Sequence, residues 1–154
     1  MKKSIRGDDV YYTILWSPVY VYNRHLASRI LPELPGIVCL MEQTERREPE
    51  YLIFYGCWRE GLRITTRNFF DPIFSQHTDI VEQLHDRKLL YKYAVIDTTP
   101  KDVKDVMYWL INHYKPLFND DAGFKDSKRY KHIYVRELVM EKGEMGKRIP
   151  SFGL

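Results

Sequence analysis

Cysteines, long apolar runs and targeting signals are all scarce in this chain. The sequence contains two cysteines, Cys39 and Cys57, and neither has the CxxC or Cys/His spacing of a structural zinc site. Both lie in apolar segments, which favours buried thiols in a reducing cytosol over a disulfide. No apolar run approaches the roughly 18 residues of a membrane span, and no apolar stretch follows the basic N-terminus as it would in a secretory signal. We therefore expect a cytoplasmic protein with no membrane partner.

The sequence also lacks the short motifs of several enzyme classes. It contains no GxGxxG, no Walker-type loop and no GxSxG elbow, so nucleotide-dependent and serine-hydrolase chemistry have no support. None of the five histidines forms an HExxH pair, which excludes a metalloprotease helix of that type. These patterns predict no metal ligand and no cofactor.

The composition is that of one folded domain. Apolar residues make up 44% of the 154 residues and charged residues 29%, which excludes a disordered or collagen-like chain. Aromatic residues reach 14% and tyrosine leads with 12, so many rings should lie half-buried with the hydroxyl near water or a partner. The net charge of +3 permits DNA or RNA as a partner but does not require either.

The pattern of apolar residues predicts a single α+β domain over residues 10–120. Residues 1–9 are polar and are expected to be frayed. Residues 121–154 are expected to form a C-terminal extension containing one strand or short helix from His132 to Met140. Within the domain, apolar and β-branched runs predict strands at 10–22, 36–41, 51–56 and 89–96.

The clearest predicted helix covers residues 100–115. Thr99 is a suitable N-cap, Pro100 suits the first helical position and Asp102 suits the first turn. Apolar residues then recur at helical spacing as far as Tyr114, and Pro116 terminates the helix. Shorter helices are predicted after residue 23, after residue 57 and from Thr78.

Three short segments together resemble one known family. PGIV at residues 35–38 lies in one predicted strand, FYG at residues 54–56 ends the next, and LINHYKPLFN at residues 110–119 ends the long helix. These segments resemble the GIY-YIG domain, a nuclease and DNA-repair module. The resemblance spans about residues 35–119. It implies an α/β (α+β) fold with a small antiparallel three-stranded sheet flanked by helices, here with extra N-terminal strands.

The resemblance also implies a phosphodiester hydrolase that uses a tyrosine near a metal-bound glutamate. Mg²⁺ or Mn²⁺ would be its cofactor, and an arginine would steady the phosphate. By position, the first tyrosine of the family falls on Val38 and the glutamate on Met107. Neither side chain exchanges a proton or suits a hard cation. The second tyrosine falls on Phe54, and Tyr55 beside it should point to the opposite face of the sheet unless a bulge turns it.

The remaining positions of the family motif match unevenly. The arginine position falls on Ile64, between Arg63 and Arg67, whereas Asn119 matches in both type and position. The candidate catalytic residues are therefore Tyr55, Arg63 and Asn119, with no candidate metal ligand. We expect a nuclease centre that is largely erased, with Met107 packed in the core.

Arg59, Arg63 and Arg67 are spaced four residues apart, which predicts one basic helical face. Guanidinium groups suit phosphate oxygens, and the aromatic residues nearby suit unstacked bases. These three arginines are the candidate nucleic-acid-binding residues. The alternative is a solvated helix face with the rings in the core.

Three functions remain open at the level of the sequence, as does the oligomeric state. The leading hypothesis is a diverged, catalytically degenerate GIY-YIG-like protein that binds DNA or RNA. The second is an active metal-dependent endonuclease with replaced residues, such as Tyr55 with Arg63 or Arg67 and an acid such as Glu60. It would need Mg²⁺ or Mn²⁺. The third is a protein-interaction or structural module.

Overall fold

The computed structural model describes residues 1–46, 48–120 and 122–140. In this part of the chain four α-helices accompany one sheet of seven strands, so the predicted α+β class is confirmed. The strands are β1 (Lys2–Arg6), β2 (Asp9–Trp16), β3 (Tyr20–Val21), β4 (Gly36–Glu42), β5 (Glu50–Gly56), β6 (Leu89–Val95) and β7 (His132–Val139). The helices are α1 (Arg24–Ile30), α2 (Gly61–Phe70), α3 (Thr78–Leu84) and α4 (Pro100–Tyr114).

The sheet is mixed and larger than the sequence suggests. Its main order is β1-β2-β6-β4-β5, and β3 pairs with β6 while β7 pairs with β2. The β2–β7 pairing is parallel, and the other pairings are antiparallel. β4, β5 and β6 form an antiparallel three-stranded unit with β4 in its centre. The segments before and after that unit add strands to the same sheet.

Helices cover the two faces of the sheet unequally. On one face, Val106 and Leu110 of α4 pack in a core with Ile14, Ile37 and Phe54. On the other face, α1, α2 and α3 contribute to a second core that contains Tyr91 and Tyr93 of β6. The two cores place α2 and α4 on opposite sides of β5.

The long helix α4 forms as predicted because its ends carry the expected signals. The Thr99 hydroxyl accepts a hydrogen bond from the Asp102 N–H at 3.1 Å, and Pro100 occupies the first turn. Lys115 ends the helix in the left-handed region with φ of 48°, and Pro116 follows. No described helix combines the length and the apolar character needed to cross a membrane.

The structure corrects the predicted ends of the domain. Residues 1–9 are not frayed, because β1 pairs with β2 and Met1 is only 4% exposed. In the predicted C-terminal extension, residues 132–139 form β7, a strand that pairs with β2 along its whole length. Both segments belong to the sheet. Asp121 and residues 141–154 of that extension lie outside the described residues.

A buried ionic network ties these added strands to α4. Asp102 and Asp105 of α4 are 2% and 0% exposed. Arg129 donates to both carboxylates at 2.9 Å, and the Tyr12 hydroxyl lies 3.0 Å from an oxygen of each, so its one hydrogen is shared between them. Lys3 of β1 contacts Asp102 at 2.9 Å. The network therefore joins β1, β2, α4 and the segment before β7.

Both cysteines are buried free thiols, as the sequence predicts. Burial raises the pKa of Cys57 to about 12 and raises the pKa of Cys39 further above its ordinary value. Neither thiol is therefore suited to act as a nucleophile.

Candidate nucleic-acid interface

A cleft of about 700 Å³ lies at the end of β5. We name it the β5 cleft. It lies between α2 and the start of α4, and its lining includes Tyr55, Gly56 and Met107. Tyr55 is one of the candidate catalytic residues predicted from the sequence, so its surroundings in this cleft bear on that prediction.

Charged groups and aromatic rings line the rest of the β5 cleft. Arg59 and Lys104 are exposed cations in its wall, while Glu60 is the one carboxylate among the described residues that line it. Glu60 accepts a hydrogen bond from the Asn68 amide at 3.0 Å. Phe74 also lines the cleft and is 67% exposed. The cleft combines cationic and aromatic surface, which is chemistry that suits an anionic aromatic ligand.

Tyr55 does not present a reactive hydroxyl to this cleft. Its hydroxyl shares a hydrogen bond of 2.8 Å with the Thr66 hydroxyl of α2, and its ring stacks on Phe69 with centroids 4.8 Å apart. Burial, assisted by the neighbouring Cys57, raises the pKa of Tyr55 well above its ordinary value of 10.0. A phenol held in this way is a poor proton acceptor at neutral pH.

Tyr55 and Phe54 point to opposite faces of the sheet, as strand alternation predicts. Phe54 belongs to the core with α4, and Tyr55 belongs to the core with α2. A bulge is present in this hairpin, but it lies between Leu40 and Met41 and does not turn Tyr55 round.

Met107 is a core residue, as the sequence predicts. It is 8% exposed and belongs to the core that α4 shares with the sheet. A Cβ added to Gly56 would lie 2.9 Å from the Met107 sulfur, so the thioether packs directly on the end of β5. Over the described ranges, no group of three or more His, Cys, Asp or Glu side chains is placed to hold a metal ion.

Asn119 contacts the outer edge of β5. Its side-chain oxygen accepts a hydrogen bond from the Phe54 N–H at 2.8 Å, and its amide nitrogen donates to the Phe54 carbonyl at 3.0 Å. The N–H groups of Leu117 and Phe118 donate to the carbonyls of Tyr51 and Leu52. This segment covers the edge of β5, and Asn119 does not line the β5 cleft.

Arg63 and Arg67 line a different cavity, on the other side of α2. This cavity of about 100 Å³, the α1–α2 pocket, is also lined by Arg24 and His25 of α1. Arg63 donates to the Leu31 carbonyl at 2.8 Å and pairs with Glu33 at 3.2 Å, whereas Arg24 and Arg67 are exposed.

The prediction of one basic face with Arg59, Arg63 and Arg67 is wrong. Arg59 precedes α2, which begins at Gly61, and it faces the β5 cleft. The structure therefore separates the predicted residues into three places. Tyr55 and Arg59 line the β5 cleft, Arg63 and Arg67 line the α1–α2 pocket, and Asn119 lies at the edge of β5.

Sequence reasoning missed Arg24 and His25. The available signal is Asn23, whose side chain caps α1 by accepting from the N–H groups of His25 and Leu26. That cap places Arg24 in the first turn, but nothing local indicates that α1 packs beside α2.

The whole chain was compared with curated proteins, solved structures and family models. No curated protein and no solved structure matches it. One family model, described only as "Uncharacterised protein", matches residues 1–150. The match covers nearly the entire sequence, including the strands at both ends of the sheet, and the chain therefore belongs to this family.

Proposed function

We propose that this chain is a nucleic-acid-binding protein, diverged from the GIY-YIG type and without a working nuclease centre. The α1–α2 pocket is the observation that carries the proposal. Three arginines and one histidine, Arg24, Arg63, Arg67 and His25, are among the residues that line a single small space. Arginine forks suit phosphate oxygens, so a DNA or RNA backbone fits this surface.

The charge balance of the pocket favours an anion. Glu33 pairs with Arg63, but neither Arg24 nor Arg67 has an ion pair with any described residue. The volume of about 100 Å³ is smaller than the roughly 300–1,000 Å³ of sites that enclose whole ligands. The pocket therefore suits one ionic group of a larger molecule, such as a phosphate of a strand.

The β5 cleft supports the second half of the proposal, the loss of nuclease chemistry. The residues there do not fit Mg²⁺ or Mn²⁺, because Met107 offers a thioether and Glu60 is the single carboxylate among the described lining residues. The Tyr55 hydroxyl is engaged by Thr66 and has a raised pKa. No step of hydrolysis is assigned to this cleft.

An active endonuclease remains the alternative, and one observation favours it. Glu60, Arg59 and His77 line the same cleft, so an acid and two basic groups are available together. In this alternative Tyr55 and Arg63 could act on one substrate only if their relative positions changed, because Arg63 lies across α2 from Tyr55.

The binding proposal is tested by fluorescence anisotropy with labelled single- and double-stranded oligonucleotides at several salt concentrations. We expect affinity to fall steeply with salt, because neutralised phosphates release counterions. The double variant Arg24→Gln/Arg67→Gln should bind more weakly across sequences, with a salt slope lower by about one per lost phosphate contact. Arg29→Gln removes one positive charge from an exposed position of α1 outside the pocket and should bind normally.

Absence of binding at low salt, or binding that the double variant leaves unchanged, would contradict the proposal. The protein-interaction hypothesis would then lead. Nuclease activity is tested separately with Mg²⁺ and Mn²⁺ on DNA and RNA, and we expect no cutting above background. Metal-dependent cutting that Tyr55→Phe or Glu60→Gln abolishes would favour the active endonuclease.

A further inference from the structure

The three strands β1, β2 and β7 extend the sheet, and no other described residues cover one of their faces. The register pairs Tyr11 with both Ser4 and Tyr134, so these side chains share a face. The opposite face is covered, because Val10, Tyr12 and Ile14 pack in the core with α4. We name the uncovered surface the open sheet face; its main residues are Lys2, Arg6, Tyr11, His132, Tyr134 and Arg136.

Two tyrosines at the centre of this face form an exposed stack. The rings of Tyr11 and Tyr134 lie 4.9 Å apart with planes 13° from parallel. They are 38% and 45% exposed, and apart from Phe74 every other described Tyr, Phe or Trp ring is half-buried or buried. The Arg6 guanidinium lies 5.5 Å from the Tyr11 ring on the β1 side. The groups therefore continue as a row across the strands.

The row is open at its Tyr134 end. Tyr134 belongs to β7, and in the described part of the chain no strand pairs with the outer side of β7. Along β7 itself, the His132 ring is tilted by 40° relative to the Tyr134 ring, with the two centroids 6.3 Å apart, so it does not continue the stack. A further flat ring can therefore stack next to Tyr134, extending the row that Arg6 and Tyr11 begin.

The charge on the face is positive. Lys2, Arg6 and Arg136 are exposed cations, and each shares the face through its register partner on β2. The one acidic side chain that the register places on this face among the described residues is Asp9, which lies 2.9 Å from the His132 ring nitrogen, so the cations outnumber it three to one. A second copy of the chain would bring like charges together, whereas a polyanion with flat rings matches both the charge and the stack.

We propose that the open sheet face binds single-stranded nucleic acid. A base stacks on Tyr134, and phosphates contact Lys2, Arg6 and Arg136. The bases of a duplex already stack and pair with each other, so only unpaired bases are free to use such a platform. This inference shares its ligand class with the proposed function but uses a different surface, so either can fail alone.

The test compares Tyr134→Ser with Tyr134→Phe in the full-length protein. A labelled oligothymidine and a matched duplex are titrated and followed by anisotropy. Tyr134→Ser should weaken single-strand binding by roughly 5- to 150-fold, the range of one lost stacked base. Tyr134→Phe keeps the ring and should bind normally. Duplex affinity should not change in either variant, whereas Arg24→Gln/Arg67→Gln should weaken it.

Further variants keep the test decisive. Arg136→Gln should weaken single-strand binding and lower its salt slope by about one, whereas Lys101→Gln, an exposed change on α4, should do neither. Equal single-strand affinity of Tyr134→Ser and the unchanged protein would overturn the inference. So would a concentration-dependent dimer, seen by light scattering, that Tyr134→Ser dissociates without any single-strand binding. That result would assign the face to a second copy.

Discussion

The match of Asn119 to the asparagine of the GIY-YIG motif has an explanation in the fold. The edge strand β5 presents backbone groups that need partners, and a side-chain amide offers a donor and an acceptor at the spacing of a peptide group. Asn119 contacts both the N–H and the carbonyl of Phe54. A family resemblance at one residue can therefore reflect architecture without chemistry.

Removing this amide should destabilise the protein. Asn119→Ala leaves the half-buried backbone groups of Phe54 without their partners, so the free energy of unfolding should fall by about 1–3 kcal/mol. Urea denaturation measures the change. Asn112→Ala is the matched control, because Asn112 is exposed on α4 and bonds only its own helix. Unchanged stability of Asn119→Ala would show that the edge contact is unimportant.

Met107 gives a second residue-scale prediction. Met107→Ala should lower the free energy of unfolding by about 2–5 kcal/mol, as for other buried large-to-small changes. Met107→Glu should be worse, because it buries an unpaired charge. Met107→Leu conserves volume and should cost less than about 1.5 kcal/mol. A Met107→Glu protein that folds normally and binds Mn²⁺ would instead indicate a relic metal site.

Among the elements, those with strong local signals could be predicted. α4 combines an N-cap, a proline in the first turn and a long apolar periodicity, and β4 is apolar along nearly its whole length. β1 gives no such signal, because its sequence KKSIR is mostly polar and every residue is exposed. It forms a strand because β2 supplies a partner edge, which is a non-local cause.

The positions of Arg59, Arg63 and Arg67 around α2 likewise could not be predicted from local sequence. Four-residue spacing places side chains on one face only inside a helix, and α2 begins after Arg59. Gly61 has φ of 84°, a value that favours glycine, so the chain turns there into the helix. The grouping of Arg63 with Arg24 depends on the packing of α1 beside α2, which no local pattern in the sequence specifies.

The N-terminal strand should contribute measurably to stability. Deleting residues 2–6 removes β1 from the edge of β2, separates Lys3 from Asp102 and displaces Met1 from the core. Loss of the Met1 burial alone is worth about 1.5–3 kcal/mol, so the urea midpoint should fall clearly. Lys3→Gln isolates the ion pair and should cost less. A urea midpoint that the deletion leaves unchanged would contradict this expectation and support the prediction that residues 1–9 are frayed.

At the scale of the whole molecule, one buried network joins segments that are far apart in the chain. Two aspartates of α4 face Lys3, Tyr12 and Arg129, so the carboxylates and the two cations balance. Buried charges are stable only when paired and hydrogen-bonded. The positions of β1 and of the segment before β7 therefore depend on the charged carboxylates of α4. The open sheet face includes residues of β1 and β7, so it depends on the same contacts.

This dependence predicts acid sensitivity. Burial opposes ionisation of Asp102, but hydrogen bonds from Thr98, Lys3, Arg129 and Tyr12 together outweigh it and hold the pKa well below the ordinary value of 3.8. The unfolded chain therefore binds the proton first as pH falls, so the stabilisation is complete above about pH 4 and is lost progressively below it. Asp102→Asn should be less stable at neutral pH and should lose less stability between about pH 5 and pH 2. Urea midpoints measured across this range provide the test, with Asp86→Asn as the control at an exposed carboxylate. Parallel acid curves for Asp102→Asn and the unchanged protein would show that the network does not govern acid unfolding.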